Sequence, residues 1–142
     1  MDGDIETTLR EILGTGPFHE QMGMELVRYD AEAGSVEILL RWRRAFEREE
    51  GTKQWHGGPI AALIDIAGDL ALVALLGRGI PTIDLHVNYV RPAIDTDLVA
   101  TARTLRAGRS VGVVDVEVRD VGRRIVAVGR GTYSTLAPEP RG

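Results

Sequence analysis

The sequence predicts an α+β fold in which a curled antiparallel sheet wraps around one long central helix. The first observation is an almost wholly apolar stretch, residues 57–76, which begins in a His-Gly-Gly turn. A helix that is apolar nearly all round belongs in the middle of a fold. The second observation is a series of segments with alternating apolar and polar residues, separated by short turns, as in antiparallel strands. A single buried helix beside such a sheet is covered when the sheet curls around it.

Composition limits the classes of function. The 142 residues are expected to form a single domain, with a variable N-terminal segment over residues 1–22 and a flexible tail over residues 137–142. The hydrophobic content of 44% and net charge of −4 are those of an ordinary globular protein and do not favour nucleic-acid binding. The absence of cysteine excludes disulfides and thiolate chemistry. With no signal-peptide pattern and no membrane span expected, we predict a cytoplasmic protein.

Short elements are expected before the central helix. Residues 4–13 carry an apolar stripe at helical spacing and predict a first helix, which a glycine- and proline-containing segment ends. Residues 24–30 and 34–42 are expected to pair as a hairpin. The polar residues 43–55 form an irregular loop that leads to the His-Gly-Gly turn.

Strands are expected after the helix, which ends near Leu76. They are predicted at residues 82–89, 97–106, 109–119 and 123–135. Because short turns join them, we expect an antiparallel meander. The edges and outer face of such a sheet favour pairing with a second copy of the chain.

One carboxylate, Asp65, lies about two turns inside the apolar helix. An ionised aspartate there costs roughly several kcal/mol unless it is partnered or used in chemistry. The glycine turn offers backbone N–H groups at the positive end of the helix, where an oxyanion could be stabilised. Donors and a carboxylate together suit acyl transfer. The alternative interpretation is that Asp65 is satisfied by a cap or an arginine, and that the glycines serve a tight turn.

This order of motifs resembles the PaaI-type acyl-CoA thioesterases, which have the hotdog fold. The matching residues are His56-Gly57-Gly58, Ala62-Leu63-Ile64-Asp65, the strand Thr82–Tyr89, Arg91-Pro92-Ala93 and Gly108-Arg109. The resemblance implies hydrolysis of an acyl-CoA, with the Gly57 N–H polarising the carbonyl, Asp65 acting as nucleophile or general base, and Thr82 helping to hold the water. It also implies a homodimer or homotetramer with sites shared between subunits.

The resemblance also suggests substrate-binding residues. His56 and Gly58 belong to the turn at the carbonyl. Arg91 and Arg109 fall where the family often contacts the CoA nucleotide, whose phosphates suit arginine.

Two positions depart from the family pattern. Glu50 stands where the family commonly has Asn or Gln, and Gln54 could substitute only if the loop is built differently. Asp69 follows Asp65 by four residues, where relatives tend to carry a small or hydroxyl residue. Like charges at this spacing repel and would raise one pKa of the pair.

No metal or other cofactor is expected. His19, His56 and His86 are far apart in the sequence, and no metal-ligand spacing appears. Two further functions stay open. One is a non-catalytic acyl-CoA binding protein. The other is a hotdog hydratase or dehydratase, which pairs a catalytic His with an acid, although the helix over residues 57–76 contains no His.

Overall fold

The structure, a computed structural model, describes residues 2–140. Residue 1 of the expected variable segment and residues 141–142 of the expected tail lie outside this range. In chain order the elements are α1 (Asp2–Gly14), α2 (Pro17–Met22), β1 (Glu25–Asp30), β2 (Ser35–Leu40), a 3₁₀ turn (Arg44–Phe46), α3 (Gly57–Leu76), β3 (Thr82–Tyr89), β4 (Leu98–Ala107), β5 (Val111–Asp120) and β6 (Ile125–Ser134).

The six strands form one antiparallel sheet in the order β1-β2-β4-β5-β6-β3. The prediction of an unbroken four-strand meander is therefore wrong for β3. Strands β4, β5 and β6 do form a meander, but β3 pairs with β6 and β4 pairs with β2. Residues 90–97 carry the chain from β3, at one edge of the sheet, to β4, which lies between β2 and β5.

Helix α3 is the core of the molecule and confirms the predicted central helix. Several of its side chains are completely buried against the sheet, among them Leu63, Ile64, Leu70 and Leu72. Each such burial stabilises the fold by about 1.5–3 kcal/mol. The helix ends at Gly77, whose φ of 73° is the left-handed cap that glycine adopts without strain. Among the described helices α3 alone is long and apolar enough to cross a membrane, but most of it is buried inside the fold.

The N-terminal region contains a helix that the sequence did not predict. The first predicted helix is confirmed as α1, which ends at Gly14 in the predicted glycine- and proline-containing segment; the short helix α2, which begins at Pro17, was not predicted. Proline suits the first turn of a helix, because its missing N–H would have no intrahelical acceptor there. His19 of α2 places Nδ1 2.7 Å from the carbonyl oxygen of Ile12, which ties α2 to α1.

Strand β3 lies at one edge of the sheet. Its predicted alternation is confirmed in the middle, where Leu85 and Val87 pack against the core. Its ends are uncovered, with Ile83 59% and Tyr89 53% exposed. An edge strand with apolar side chains at its ends presents unpaired backbone groups and an apolar surface to a partner.

Candidate active site

The N-terminus of α3 leaves one backbone donor for a ligand. The first four N–H groups of a helix lack intrahelical acceptors. In the described chain, the His56 N–H donates to the Phe46 carbonyl (2.8 Å), and the Gly58 N–H donates to His56 Nδ1 (2.9 Å). Pro59 has no N–H. The Gly57 N–H is the remaining donor, and it lies at the positive end of the helix dipole.

Tyr89 holds Gly57 from the neighbouring edge strand. Its hydroxyl donates a hydrogen bond to the Gly57 carbonyl oxygen at 2.7 Å. A Cβ on residue 57 would lie 3.1 Å from atoms of the Tyr89 ring, which explains why glycine stands there. Nothing in the alternation of residues 82–89 indicated this role for Tyr89. The available signal was its position in the Tyr-x-Arg-Pro motif.

Asp65 is fixed by two hydroxyl groups. Thr82 Oγ1 donates to Asp65 Oδ1 at 2.7 Å, and the Tyr133 hydroxyl donates to the Asp65 backbone carbonyl at 2.9 Å. Burial raises the pKa of Tyr133 well above its usual value, so this hydroxyl stays protonated and remains a donor. Thr82 is thus the partner that a carboxylate inside an apolar helix requires. The contribution of Tyr133 was not predicted.

Asp69 lies one turn beyond Asp65 and is mostly withdrawn from solvent. Its Oδ1 accepts a hydrogen bond from the Ile80 N–H at 3.2 Å, two residues before Thr82. Burial raises the pKa of Asp69 to about 6, and the nearby Asp65 charge adds to the shift. The sequence predicted a raised pKa in this pair, but attributed it to charge repulsion, whereas burial is the larger cause.

Within one chain, these groups form two separate half-sites. We call Gly57, Tyr89 and Arg91 the donor half-site, and Asp65, Thr82, Asp69 and Tyr133 the carboxylate half-site. Gly57 and Asp65 are eight residues apart in one continuous helix. At about 1.5 Å per residue they are separated by roughly 12 Å along the axis. Thr82 and Tyr89 likewise begin and end β3.

The donor half-site opens into a cleft of about 370 Å³, whose lining includes Arg48, Gln54, Gly57 and Arg91. We call it the arginine cleft. Arg91 Nη1 donates to the Ile125 carbonyl at 3.0 Å, which orients the guanidinium at its edge. These two cations make the cleft suitable for an anionic group.

The other predicted binding residues lie elsewhere. Glu50 does not line the arginine cleft in the described chain, and forms an exposed ion pair with Arg44 (2.9 Å). Arg109 lies in the exposed β4–β5 turn. This turn is at the end of the sheet where β3 begins, because Gly112 at the start of β5 and Thr82 at the start of β3 both pair with Tyr133. Arg109 therefore lies toward the carboxylate half-site, whereas Arg91 belongs to the donor half-site. His56 serves as the N-cap of α3.

The fold, a six-stranded antiparallel sheet around one long helix, is that of the hotdog-fold thioesterases. Residues 53–127, more than half of the chain, match the Thioesterase superfamily. The chain belongs to that superfamily and is, by class, a thioester hydrolase.

Individual relatives agree with this assignment. The medium/long-chain acyl-CoA thioesterase YigI of Escherichia coli is 31% identical over 133 residues, which cover 82% of this chain and 84% of that protein. The crystal structure of a phenylacetic acid degradation-related protein from Ralstonia eutropha JMP134 superposes with a TM-score of 0.80 at 28% identity, covering 92% of this chain and 98% of that one. The Escherichia coli PaaI protein shares the fold, with a TM-score of 0.83 at 19% identity and 96% coverage of both chains.

Proposed function

We propose that this protein hydrolyses acyl-CoA thioesters to a free acid and CoA. The observation that carries the proposal is the Gly57 N–H, the one donor at the α3 N-terminus left without an acceptor in the described chain. A donor held in this way favours the tetrahedral intermediate of acyl transfer, because negative charge develops on the carbonyl oxygen. The name of the relative YigI supports a CoA thioester as the substrate.

Asp65 is the proposed nucleophile or general base. As a base it takes a proton from water, and the resulting hydroxide attacks the carbonyl carbon. As a nucleophile it forms a mixed anhydride that water then hydrolyses. In both routes the carbon–sulfur bond breaks, and the CoA thiolate leaves and is protonated. The hydrogen bond from Thr82 to Oδ1 orients the carboxylate so that Oδ2 is the oxygen available for this step.

The proposed site is shared between two subunits. One carbonyl cannot lie about 3 Å from both Gly57 and Asp65 of the same chain when roughly 12 Å of helix separates them. A two-fold axis at the β3 edge would set the two α3 helices antiparallel, with Gly57 of one chain toward Asp65 of the partner subunit. The uncovered apolar ends of β3 support this edge as the interface. We therefore propose a homodimer as the catalytic unit, alone or within a homotetramer.

The proposed placement of CoA follows from the cations. Its phosphates would lie near Arg91 at the donor half-site, and near Arg109 of the partner subunit, which joins the same shared site. His56 and Gly58 would shape the turn beside the carbonyl, and Glu50 would lie outside the reacting centre. The cytoplasm, where acyl-CoA is made and used, is the proposed location.

Replacing Asp65 tests the chemistry. Asp65→Asn keeps the shape of the side chain and an acceptor for Thr82, so the protein should fold. We expect kcat to fall by about 10²–10⁴, the usual contribution of a general base. The measurement is thiol release from a panel of acyl-CoAs. The control is Glu32→Gln, which alters an exposed carboxylate in the β1–β2 turn, away from β3, and should leave the rate unchanged.

Three outcomes would contradict the proposal. An Asp65→Asn protein with near wild-type turnover would remove Asp65 from the mechanism. Wild-type protein that binds acyl-CoA tightly but releases no thiol would instead be a binding protein. Wild-type protein that hydrates an enoyl-CoA without releasing thiol would be a hydratase.

A further inference from the structure

We infer that the acyl chain of the substrate lies in an apolar groove between α2 and α3, and that the preferred acyl groups are aliphatic chains several carbons long. The inference rests on the proposed thioester hydrolysis and adds where the acyl part binds and what class of acyl group it is. The apolar walls of the groove are formed by Phe18, Met22, Ala45, Phe46, Pro59 and Ala62.

The groove begins at the proposed reaction centre. Gly58, the residue after the donor Gly57, is part of its lining. Ala62 lies four residues after Gly58 and three before Asp65, so the three residues share one face of α3. The opposite wall is tied to the same turn, because the His56 N–H donates to the Phe46 carbonyl at 2.8 Å. A chain leaving the thioester carbonyl at Gly57 can therefore enter the groove directly.

The arginine cleft and the apolar groove lie on two sides of the Gly57 turn. The cleft is cationic and suits the phosphates of CoA, whereas the groove is apolar and suits the acyl chain. The arginine cleft carries Arg48 and Arg91, which suit phosphates. Among the described residues that line the groove, Arg43 is the cation, and its Cζ lies over the Phe46 ring, 4.8 Å from the ring centroid. This stacking makes Arg43 part of the wall. Phe18, which is 55% exposed in the single chain, is left for a ligand to cover.

The shape and walls favour an aliphatic chain over an aromatic acyl group. The volume of about 500 Å³ falls within the range of about 300–1,000 Å³ typical of small-molecule sites and far exceeds a short acyl group. Phe46 stacks on Trp55 with ring centroids 5.4 Å apart, and Arg43 lies over its ring. Phe46 therefore has no open face for an aromatic ligand. Met22, which is flexible, and the small Ala62 suit a chain that adapts to the groove.

The first test is a series of acyl-CoAs from acetyl-CoA to tetradecanoyl-CoA. Each methylene buried in the groove should raise kcat/KM by about fourfold, which corresponds to about 0.8 kcal/mol, until the groove is full. Octanoyl-CoA should be hydrolysed with a higher kcat/KM than phenylacetyl-CoA, which has the same number of acyl carbons. A flat chain-length profile, or a preference for phenylacetyl-CoA, would overturn the inference.

The second test fills the groove. Ala62→Leu adds three carbons to its wall, and we expect kcat/KM for dodecanoyl-CoA to fall at least about tenfold, with acetyl-CoA changed less than about twofold. Ala33→Leu adds the same volume at an exposed position of the β1–β2 turn, outside the groove lining, and should keep the wild-type chain-length profile. Equal losses for both substrates, or an unchanged profile, would contradict the inference.

A third test uses a substitution at an exposed position, so that a folding defect cannot be the cause of the change. Phe18→Ser removes an exposed side chain, so the fold should persist, and kcat/KM for dodecanoyl-CoA should fall relative to acetyl-CoA. Val121→Ser, which alters a residue 70% exposed in the β5–β6 turn, is the control and should change neither substrate. An unchanged ratio in Phe18→Ser would contradict the inference.

Failure of the proposed function has a different signature, because then no acyl-CoA in the series releases thiol. The groove is still tested in that case by the affinity for a non-hydrolysable dodecyl-CoA thioether. Ala62→Leu should weaken this binding, and Ala33→Leu should not. Equal affinity of wild type and Ala62→Leu for the thioether would overturn the groove assignment.

Discussion

The hydrogen bond from Thr82 to Asp65 links β3 to α3 in the carboxylate half-site. A hydrogen bond to a charged group contributes about 1.5–3 kcal/mol. Thr82→Val keeps the shape and removes the donor, so we expect kcat to fall by roughly 10- to 100-fold. Thr82→Ser keeps the hydroxyl and should retain most of the rate. Steady-state kinetics on one good acyl-CoA substrate measures both, and a Thr82→Val enzyme as fast as Thr82→Ser would remove the contact from the mechanism.

Asp69 makes stability depend on pH. Its pKa of about 6 lies above the ordinary 3.8, so the folded protein holds this proton more tightly than the unfolded chain does. The charge on Asp69 therefore destabilises the fold as pH rises from about 4 through about 6, and the penalty is absent below about 4. Asp69→Asn keeps an acceptor for the Ile80 N–H and removes the charge. At pH 7.5 it should raise the free energy of unfolding by up to about 3 kcal/mol.

Denaturant unfolding of wild type and Asp69→Asn from pH 4 to pH 8 checks this prediction. The stability gain should shrink toward zero as the pH approaches 4. Glu32→Gln, at an exposed position of the β1–β2 turn, is the matched control and should show no comparable gain. A constant difference between wild type and Asp69→Asn at every pH would rule out the buried-charge explanation.

At the scale of elements, the start of α3 supplies the proposed oxyanion donor. Gly57→Pro removes the N–H at a helix position that proline tolerates. Gly57→Ala keeps the N–H and places the same Cβ against the Tyr89 ring. The rate difference between the two variants therefore isolates the donor, and we expect Gly57→Pro to be slower by about 10²–10³. Equal rates for the two variants would show that the Gly57 N–H does not act on the carbonyl.

The sequence predicted the elements better than the contacts between them. Helix α3 and its Gly57 start could be predicted because their signals are local, namely an apolar run and a glycine turn. The partners of Asp65 could not, because Thr82 and Tyr133 lie 17 and 68 residues further along the chain. Their approach depends on β3 lying beside β6. The sequence does not encode that neighbour relation in any single segment, and the expected meander placed β3 beside β4.

At the scale of the whole molecule, the separation of the two half-sites is the main consequence of the fold. Gly57 and Asp65 are eight residues apart in the sequence, but the rigid helix between them prevents one chain from bringing both to one carbonyl. Arg91 and Arg109 of one chain are also far apart, because they lie toward opposite ends of the sheet. The proposed second copy across the β3 edge would bring both pairs of residues together.

The most direct test of the shared site is a mixed dimer of Gly57→Pro and Asp65→Asn chains, isolated by two different affinity tags. Each variant alone lacks one component in every site and should be nearly inactive. In the mixed dimer, Gly57 of the Asp65→Asn chain meets Asp65 of the partner subunit, so one of the two sites is intact. We predict about half the wild-type activity per dimer. A mixed dimer no more active than its two parents would place Gly57 and Asp65 in one site within a chain and contradict the account.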